Sequence, residues 1–260
     1  MNFNLSKKIL LLIFSTLSFS NVFASDRVLW LLFPPWVQRE SWSWGTISSS
    51  AVYKGQLKNI AGETTADNYE QNLKSKGGFT YGVGTYFPVK RLGKVSTLAI
   101  GVQANTNLFI WDNLKGGIFD EDGFNFGGAT IEGGLPITAD FMFGCDALTK
   151  KNPKFSLTVG GGVMPLYAMT AVEDNMGMQF TARPVVKAEA GMFLGVLMKV
   201  RLMCAIGNIK YINSKNSFMD MGDGVQSNFT LTGKSSVSVQ FVILPFSFMW
   251  EKAGWWNDTY

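Results

Sequence analysis

Residues 155–170 alternate strictly in side-chain type, and this alternation constrains the fold more than any other feature of the chain. The odd positions are mostly apolar, whereas the even positions are mostly small or hydroxylated. Side chains of a β-strand point alternately to its two faces, so the pattern predicts a single two-faced strand. That strand is longer than the ~5–6 residues that are usual in soluble domains.

Similar alternation recurs along the chain and predicts about eight strands. The better-defined ones each oppose an apolar face to a small or polar face, at residues 79–87, 97–110, 130–143, 155–170, 181–192, 198–206 and 229–243. The first strand has a blurred pattern. We place it at residues 43–54, with residues 28–33 as a rival.

The predicted connections also alternate. Those after the odd-numbered strands are mostly long and polar, at residues 55–76, 112–123, 171–179 and 211–227. Those after the even-numbered strands are mostly shorter, at residues 88–93, 146–153 and 193–196. An even number of antiparallel strands with long connections at one end and short ones at the other is typical of bacterial outer-membrane barrels.

The N-terminus predicts export. Lys7 and Lys8 precede a short apolar run at residues 9–19, and Val22 and Ala24 fit the cleavage positions of a secretory signal peptide at residues 1–24. A transmembrane anchor is the alternative, but the run is shorter than the ~20 apolar residues of a spanning helix. Cleavage lowers the formal charge from +4 to +2, which does not favour nucleic acid as a partner.

The predicted domain at residues 25–260 is all-β, and a soluble sandwich or barrel also has one apolar and one polar face. Long strands and an inner face rich in Gly, Ala, Ser and Thr favour a closed antiparallel up-and-down barrel that spans a membrane. Aromatic residues near strand ends support the barrel, because such rings suit the membrane–water interface. They are Trp111, Tyr167, Tyr211, Trp250, Trp255 and Trp256.

Residues 78–89, 135–144 and 155–167 resemble segments of small, porin-like outer-membrane β-barrel proteins of the Bacteroidota type. The C-terminal Tyr260 is similar to the terminal aromatic that barrel-assembly machinery reads in that superfamily. Here, however, residues 251–259 separate it from the last predicted strand. The resemblance implies outer-membrane lipid as the surroundings, with other envelope proteins as possible partners. It implies no site residues, no cofactor and no oligomeric state.

The inner face carries charged side chains that could occupy the lumen. They are Glu132, Asp140, Arg183, Lys187, Glu189, Lys199, Arg201 and Lys234. An eight-stranded barrel is only wide enough for its own side chains, and unpaired buried charges are costly. We therefore favour a plug of ion pairs over a narrow, slightly anion-preferring channel for small or hydrophobic solutes.

The composition does not favour an enzyme, because the chain contains no histidine to act as a general base near neutral pH. No spacing predicts a metal site, and we interpret residues 120–122 as a solvated acidic run. We expect Cys145 and Cys204 to be unpaired, since they fall on non-neighbouring strands. The triplet at residues 160–162 indicates a kink or close packing within a strand. The apolar segment at residues 28–36 could be a strand, a periplasmic plug or a docking surface.

Overall fold

The computed structural model describes residues 35–58, 64–113, 127–147, 154–172, 175–213, 217–220, 230–248 and 250. Among these residues it contains one short α-helix, one 3₁₀ helix at Cys145–Ala147, and eleven strands. In chain order the helix and strands are α1 (Pro35–Gln38), β1 (Ser41–Lys58), β2 (Thr64–Arg91), β3 (Ser96–Trp111), β4 (Gly128–Gly134), β5 (Ile137–Gly144), β6 (Phe155–Val172), β7 (Asn175–Phe193), β8 (Leu197–Ala205), β9 (Ile209–Ile212), β10 (Ser217–Asp220) and β11 (Thr230–Leu244).

The strands form a closed antiparallel ring. β1 pairs with β2 on one side and with β11 on the other, so the first and last strands join. β4 and β5 together take one position between β3 and β6, and β8 with its short continuations takes one position beside β7 and β11. The ring therefore has eight strand positions, as predicted. The predicted first strand is confirmed as β1, and residues 28–33 lie outside the described part of the chain.

The two faces of the wall differ in chemistry. In β5 every second residue is exposed, and the exposed side chains of Ile137, Phe141 and Phe143 point outward. The alternate positions, which include Thr138 and Asp140, are buried inside the ring. The same division holds along β3 and β6. An apolar outer belt around a polar interior is the arrangement that lipid on the outside requires.

The ring has two different ends. We call the end with Ser41 and Leu244 the terminal end, and it also carries the connections from β2 to β3, from β5 to β6 and from β7 to β8. The opposite end, where β1 meets β2 and β6 meets β7, is the loop end. None of the helices among the described residues is long and apolar enough to cross a membrane.

Several predicted loops at the loop end are instead strand. Most of residues 55–76 belongs to the β1–β2 hairpin, and most of residues 171–179 to the β6–β7 hairpin. The predicted loop at residues 211–227 includes the end of β9 and all of β10. These segments are polar because they extend past the apolar belt. Their backbone groups still pair with a neighbouring strand, so polarity alone does not end the strand.

The strand predicted at residues 130–143 is broken between β4 and β5. Pro136 has no backbone N–H to donate, although its carbonyl accepts a hydrogen bond from Gln103 N at 3.0 Å. Leu135 N donates to Pro165 O at 2.8 Å across the same break. Both halves nevertheless pair with β3 and β6, so the ring stays continuous.

Candidate functional site: the barrel interior

A group of ion-paired side chains, which we call the central network, fills the middle of the ring. Glu189 on β7 is its centre. Arg201 Nε donates to Glu189 Oε1 at 2.6 Å, and Lys199 Nζ donates to Glu189 Oε2 at 2.9 Å. Lys187 Nζ lies 3.8 Å from the same carboxylate and 2.8 Å from Asp140 Oδ2. Lys199 also pairs with Asp146, which completes the group.

These side chains meet because β5, β7 and β8 each direct alternate residues inward. Glu189 and Arg201 lie opposite each other in the β7–β8 register, so their side chains start as close neighbours on one face. Glycines make room for them. A Cβ atom at Gly101 or at Gly160 would overlap a carboxylate oxygen of Asp140.

A second charged group surrounds Glu132 on β4, nearer the loop end. Tyr211 Oη donates to Glu132 Oε1 at 2.7 Å, and Asn107 Nδ2 donates to Glu132 Oε2 at 3.1 Å. Arg183 Nη1 lies 3.9 Å from Glu132 Oε1. Arg183 Nη2 also donates to three backbone carbonyl oxygens, those of Ala205, Gly207 and Lys234. Because Arg183 and Glu132 are both buried, each charge depends on these partners.

Neutral polar side chains link the two charged groups. Arg201 Nη1 donates to Gln103 Oε1 at 2.6 Å and to Gln240 Oε1 at 3.2 Å. Gln240 Nε2 reaches Thr80 Oγ1 at 3.4 Å, and Thr80 Oγ1 donates to Asn107 Oδ1 at 2.8 Å. A chain of hydrogen bonds thus runs inside the ring from Asp146 to Glu132.

Most of the predicted inner-face charges point into the ring. Seven of the eight predicted side chains face into the ring, and the structure adds Asp146, from the 3₁₀ helix. Lys234 is the exception. Ser49 pairs with Ser236 but Ala51 pairs with Gly233, so β11 has one extra residue and Lys234 turns outward. In the central network and the Glu132 group, four acids therefore face four bases, and a further buried base, Arg39, lies over the Tyr86 ring at the terminal end.

Apolar side chains close the loop end. We call this group the loop-end layer. Its core includes Phe109, Trp111, Leu166, Tyr211 and Leu231, all of which are buried. Trp111 stacks on Phe109 with 5.6 Å between ring centroids, and Trp111 Nε1 donates to Thr130 Oγ1 at 2.8 Å. The prediction that Trp111 and Tyr211 lie at the membrane–water interface is wrong, because both rings point into the ring of strands.

A second apolar group, the terminal-end layer, closes the other end. It includes Tyr86, Met142, Leu197, Leu244 and Trp250, all of them buried. Trp250 Nε1 donates to Gln38 O at 3.1 Å, which ties the residues after β11 to the helix before β1. Trp250 was predicted to lie at the membrane interface, and this is wrong because it is enclosed. Of the predicted apolar segment at residues 28–36, only the last two residues are described, at the start of α1.

The 3₁₀ helix belongs to the terminal-end layer. Tyr86 Oη donates to Asp146 O at 3.3 Å, and Thr97 Oγ1 donates to Ala147 O at 2.8 Å. Both hydrogen bonds hold the connection between β5 and β6 across the opening. Burial raises the pKa of the Cys145 thiol to about 12, and the nearby Asp146 carboxylate acts in the same direction. Cys145 and Cys204 are both free, and Cys204 lies on the outer side of β8.

A cavity of about 20 Å³ lies beside the central network, lined by Gln103, Asp140, Lys187, Glu189, Lys199 and Arg201 among others. A single water molecule needs ~10–15 Å³ on this measure, so the cavity suits one water and no larger solute. Of the other predicted interface aromatics, Tyr167 is exposed on the outer face. Trp255 and Trp256 lie outside the described residues, as do residues 1–24 and 120–122.

No family model matches this sequence, and no curated protein matches it either. Solved structures do. The outer-membrane protease OmpT from Escherichia coli is 10% identical, with 78% of this chain and 95% of that chain covered and a TM-score of 0.36. OprG from Pseudomonas aeruginosa is 9% identical, with 78% and 94% covered and a TM-score of 0.39. Ail of Yersinia pestis is 10% identical, with 78% and 97% covered and a TM-score of 0.30.

The architecture of the chain itself decides its class. Eight strand positions close without a free edge along the belt, apolar side chains cover the outside, and polar side chains fill the inside. Only closed barrels and helices can satisfy backbone hydrogen bonds within a bilayer. The chain is a closed antiparallel β-barrel whose apolar belt suits it to span a lipid bilayer.

Proposed function

We propose that this barrel is plugged by its own side chains and serves a structural or surface-interaction role in the outer membrane. The main support for the proposal is the order of the layers along the barrel axis. A charge-balanced central network lies between two apolar layers, and the cavity beside it holds about one water molecule. A hydrated ion would have to displace Glu189, Arg201 and their partners to pass.

The rival function is a narrow channel for small or hydrophobic solutes. Planar lipid bilayers separate the two. We expect the purified, processed protein to give no steady, salt-dependent current. Two variants are compared with the unaltered protein. The double variant Trp111→Ala with Tyr211→Ala removes two rings from the loop-end layer and should raise the current. Tyr167→Ala removes a ring from the outer face and should not. Steady single-channel currents from the unaltered protein would overturn the plug.

An interaction role draws support from the loop end. The β1–β2 and β6–β7 hairpins continue as paired strands beyond the apolar belt, and such sheet extensions offer firm binding surfaces. We propose that the termini face the periplasm and that these hairpins face the outside. Cross-linking in mild detergent should capture envelope or surface partners from the unaltered protein. Shortening the β1–β2 hairpin should abolish the capture while the fold survives.

We also propose that the protein is not an enzyme. The chain contains no histidine, and each buried carboxylate of the central network has a basic partner within ion-pair distance. Carboxylates neutralised in this way are poor general bases. Hydrolysis of ester, phospholipid or peptide substrates that disappears in Glu189→Gln or Asp140→Asn variants would contradict this proposal.

A further inference from the structure

Basic side chains are concentrated at two connections of the terminal end. Lys90 and Arg91 end β2 and Lys94 follows in the β2–β3 connection, whereas the β5–β6 connection contains Lys150, Lys151 and Lys154. The structure describes four of these six residues, and Lys90, Lys94 and Lys154 are exposed to solvent. The terminal end therefore presents a cluster of ammonium groups.

The two connections are neighbours in the ring. Gly144 N donates to Val95 O at 2.8 Å, which joins the end of β5 to the β2–β3 connection. Phe193 N donates to Lys154 O at 2.7 Å, which joins the start of β6 to the end of β7. The lysines thus occupy one continuous stretch of the rim rather than separate sides of the barrel.

Nearby carboxylates do not neutralise these lysines. Among the described residues, Lys90, Lys94 and Lys154 form no ion pair, and Asp146, the acid closest in sequence to Lys154, is buried against Lys199. At the loop end, Lys54 pairs with Glu70 at 2.9 Å and Lys76 with Asp112 at 3.5 Å, whereas Lys74, Lys210 and Lys234 form no ion pair within the described part of the chain. The uncompensated charge at the terminal rim favours an anionic partner.

Exposed apolar side chains stand among the same lysines. Val89 is 65% exposed, Phe155 is 67% exposed, and Leu92 is also exposed. They continue the apolar belt to the very edge of the barrel. A water-soluble polyanion would leave them uncovered, whereas a phospholipid offers a phosphate to the lysines and acyl chains to the apolar side chains.

We propose that this rim, formed by Lys90, Lys94 and Lys154 together with Val89, Leu92 and Phe155, binds the headgroups of anionic phospholipids. The site would select phosphatidylglycerol-type lipids over zwitterionic ones in the leaflet at the terminal end. It holds whether or not the barrel interior conducts, because it lies wholly on the rim.

Native mass spectrometry of the full processed protein tests the proposal, with phosphatidylglycerol and phosphatidylcholine of matched chains added in equal amounts. We expect retention of phosphatidylglycerol at low salt. A triple variant, Lys90→Gln, Lys94→Gln and Lys154→Gln, should lose this preference by about tenfold or more, because each lysine near the membrane surface attracts anionic lipid. The matched control changes Lys74, Lys210 and Lys234 to Gln at the loop end.

Three results would overturn the rim site. The unaltered protein could show no preference, the rim triple variant could keep the full preference, or the control could lose as much as the rim variant. Soluble peptidoglycan fragments form a further arm. If they bind the rim triple variant more weakly while phosphatidylglycerol retention is unchanged, the anionic partner is the cell-wall polymer instead.

Discussion

At the scale of single residues, the buried charges of the central network depend on one another. Glu189 accepts hydrogen bonds from Arg201 and Lys199 and lies close to Lys187, and all of these side chains are shielded from water. Removing one partner from a buried ion pair leaves the other charge without compensation, which costs far more than breaking an exposed pair.

We expect Glu189→Gln to lower the free energy of unfolding by about 3–5 kcal/mol, because three buried bases lose their common counter-charge. Urea titration of refolded protein in detergent, followed by tryptophan fluorescence, measures the loss. Glu70→Gln is the control: it breaks the exposed Lys54–Glu70 pair and should cost at most about 1 kcal/mol. Equal losses in the two variants would mean that the network does not stabilise the fold.

The raised pKa of Cys145 gives a second prediction at this scale. In a Cys204→Ser variant, maleimide labelling of the folded protein should be slow at pH 8, because the Cys145 thiol is fully buried and its raised pKa leaves little reactive thiolate. The same chain unfolded in urea should react near the ordinary thiol pKa of about 8.5. Fast labelling of the folded protein at pH 8 would show that Cys145 is accessible.

The same shift links stability to pH. The folded pKa lies above the unfolded value, so the folded state holds the proton more tightly. The contribution of Cys145 to the unfolding free energy is therefore complete below about pH 8.5 and is lost as the pH rises toward 12. Subtracting the profile of Cys145→Ser isolates this contribution from other groups that titrate in the same range.

At the scale of strands, alternation decides which side chains meet lipid and which fill the interior. Gly160 and Gly161 are neighbours on β6 and show the difference. A Cβ at Gly160 would overlap Asp140 Oδ1, whereas a Cβ at Gly161 would lie 3.5 Å from its nearest neighbour, Val185 O. The close-packing interpretation of this glycine triplet therefore holds for its two inward positions, Gly160 and Gly162.

We predict that Gly160→Ala destabilises the barrel by about 1–3 kcal/mol, because overpacking forces the central network apart. Gly161→Ala should be neutral or slightly stabilising, since the methyl group meets only ordinary contacts and glycine weakens a strand. The midpoints of thermal unfolding in detergent compare the two variants. Identical midpoints would contradict the inward direction of Gly160.

Alternation in the sequence was enough to predict the strands and most inward-facing charges, because a lipid-facing side must be apolar at every second residue. The predictions that failed concern positions where a bulge or a connection interrupts the alternation of faces. A bulge in β11 reverses the faces, so Lys234 turns outward and Leu231 inward. Asp146 was missed because it lies in a connection, where no periodicity applies.

Trp111 fails for a different reason. It shares its face with Asn107 and Phe109, so its parity already indicated the interior. Its position near a strand end was given more weight than the side to which it points. The lengths of the hairpins at the loop end were also unpredictable from apolar periodicity, because strands that leave the lipid no longer need an apolar face.

At the scale of the whole molecule, the two chain ends close one opening of the barrel together. Gln38 lies before β1 and Trp250 after β11, and their hydrogen bond joins the first and last parts of the described chain. Trp250 is fully buried against the terminal-end layer. The closed ring and this contact both depend on the complete chain.

We expect Trp250→Ala to cost about 3–5 kcal/mol of unfolding free energy, the usual range for a buried tryptophan. Trp36→Ala is the matched control, since Trp36 is at the same end but more than half exposed, and it should change little. Guanidinium titration in detergent micelles gives both values. A loss from Trp36→Ala as large as that from Trp250→Ala would show that the burial of Trp250 does not stabilise the terminal-end layer.

The apolar belt predicts how the whole protein behaves in solution. Because the outer face of the strands is apolar around the ring, the processed protein should require detergent or lipid to stay dissolved. On gels in sodium dodecyl sulfate, an unboiled sample should migrate differently from a boiled one as the closed barrel resists unfolding. A processed protein that remains monomeric in detergent-free buffer would be a soluble β protein instead.

The wall of the barrel is uneven in height. β2 has 28 residues, which corresponds to about 92 Å of extended strand, whereas a tilted crossing of a bilayer takes only ~9–11 residues. A foreign peptide inserted between Lys58 and Thr64 would therefore be carried on a hydrogen-bonded stem well clear of the lipid. With the orientation proposed above, antibodies should reach such an epitope on intact cells.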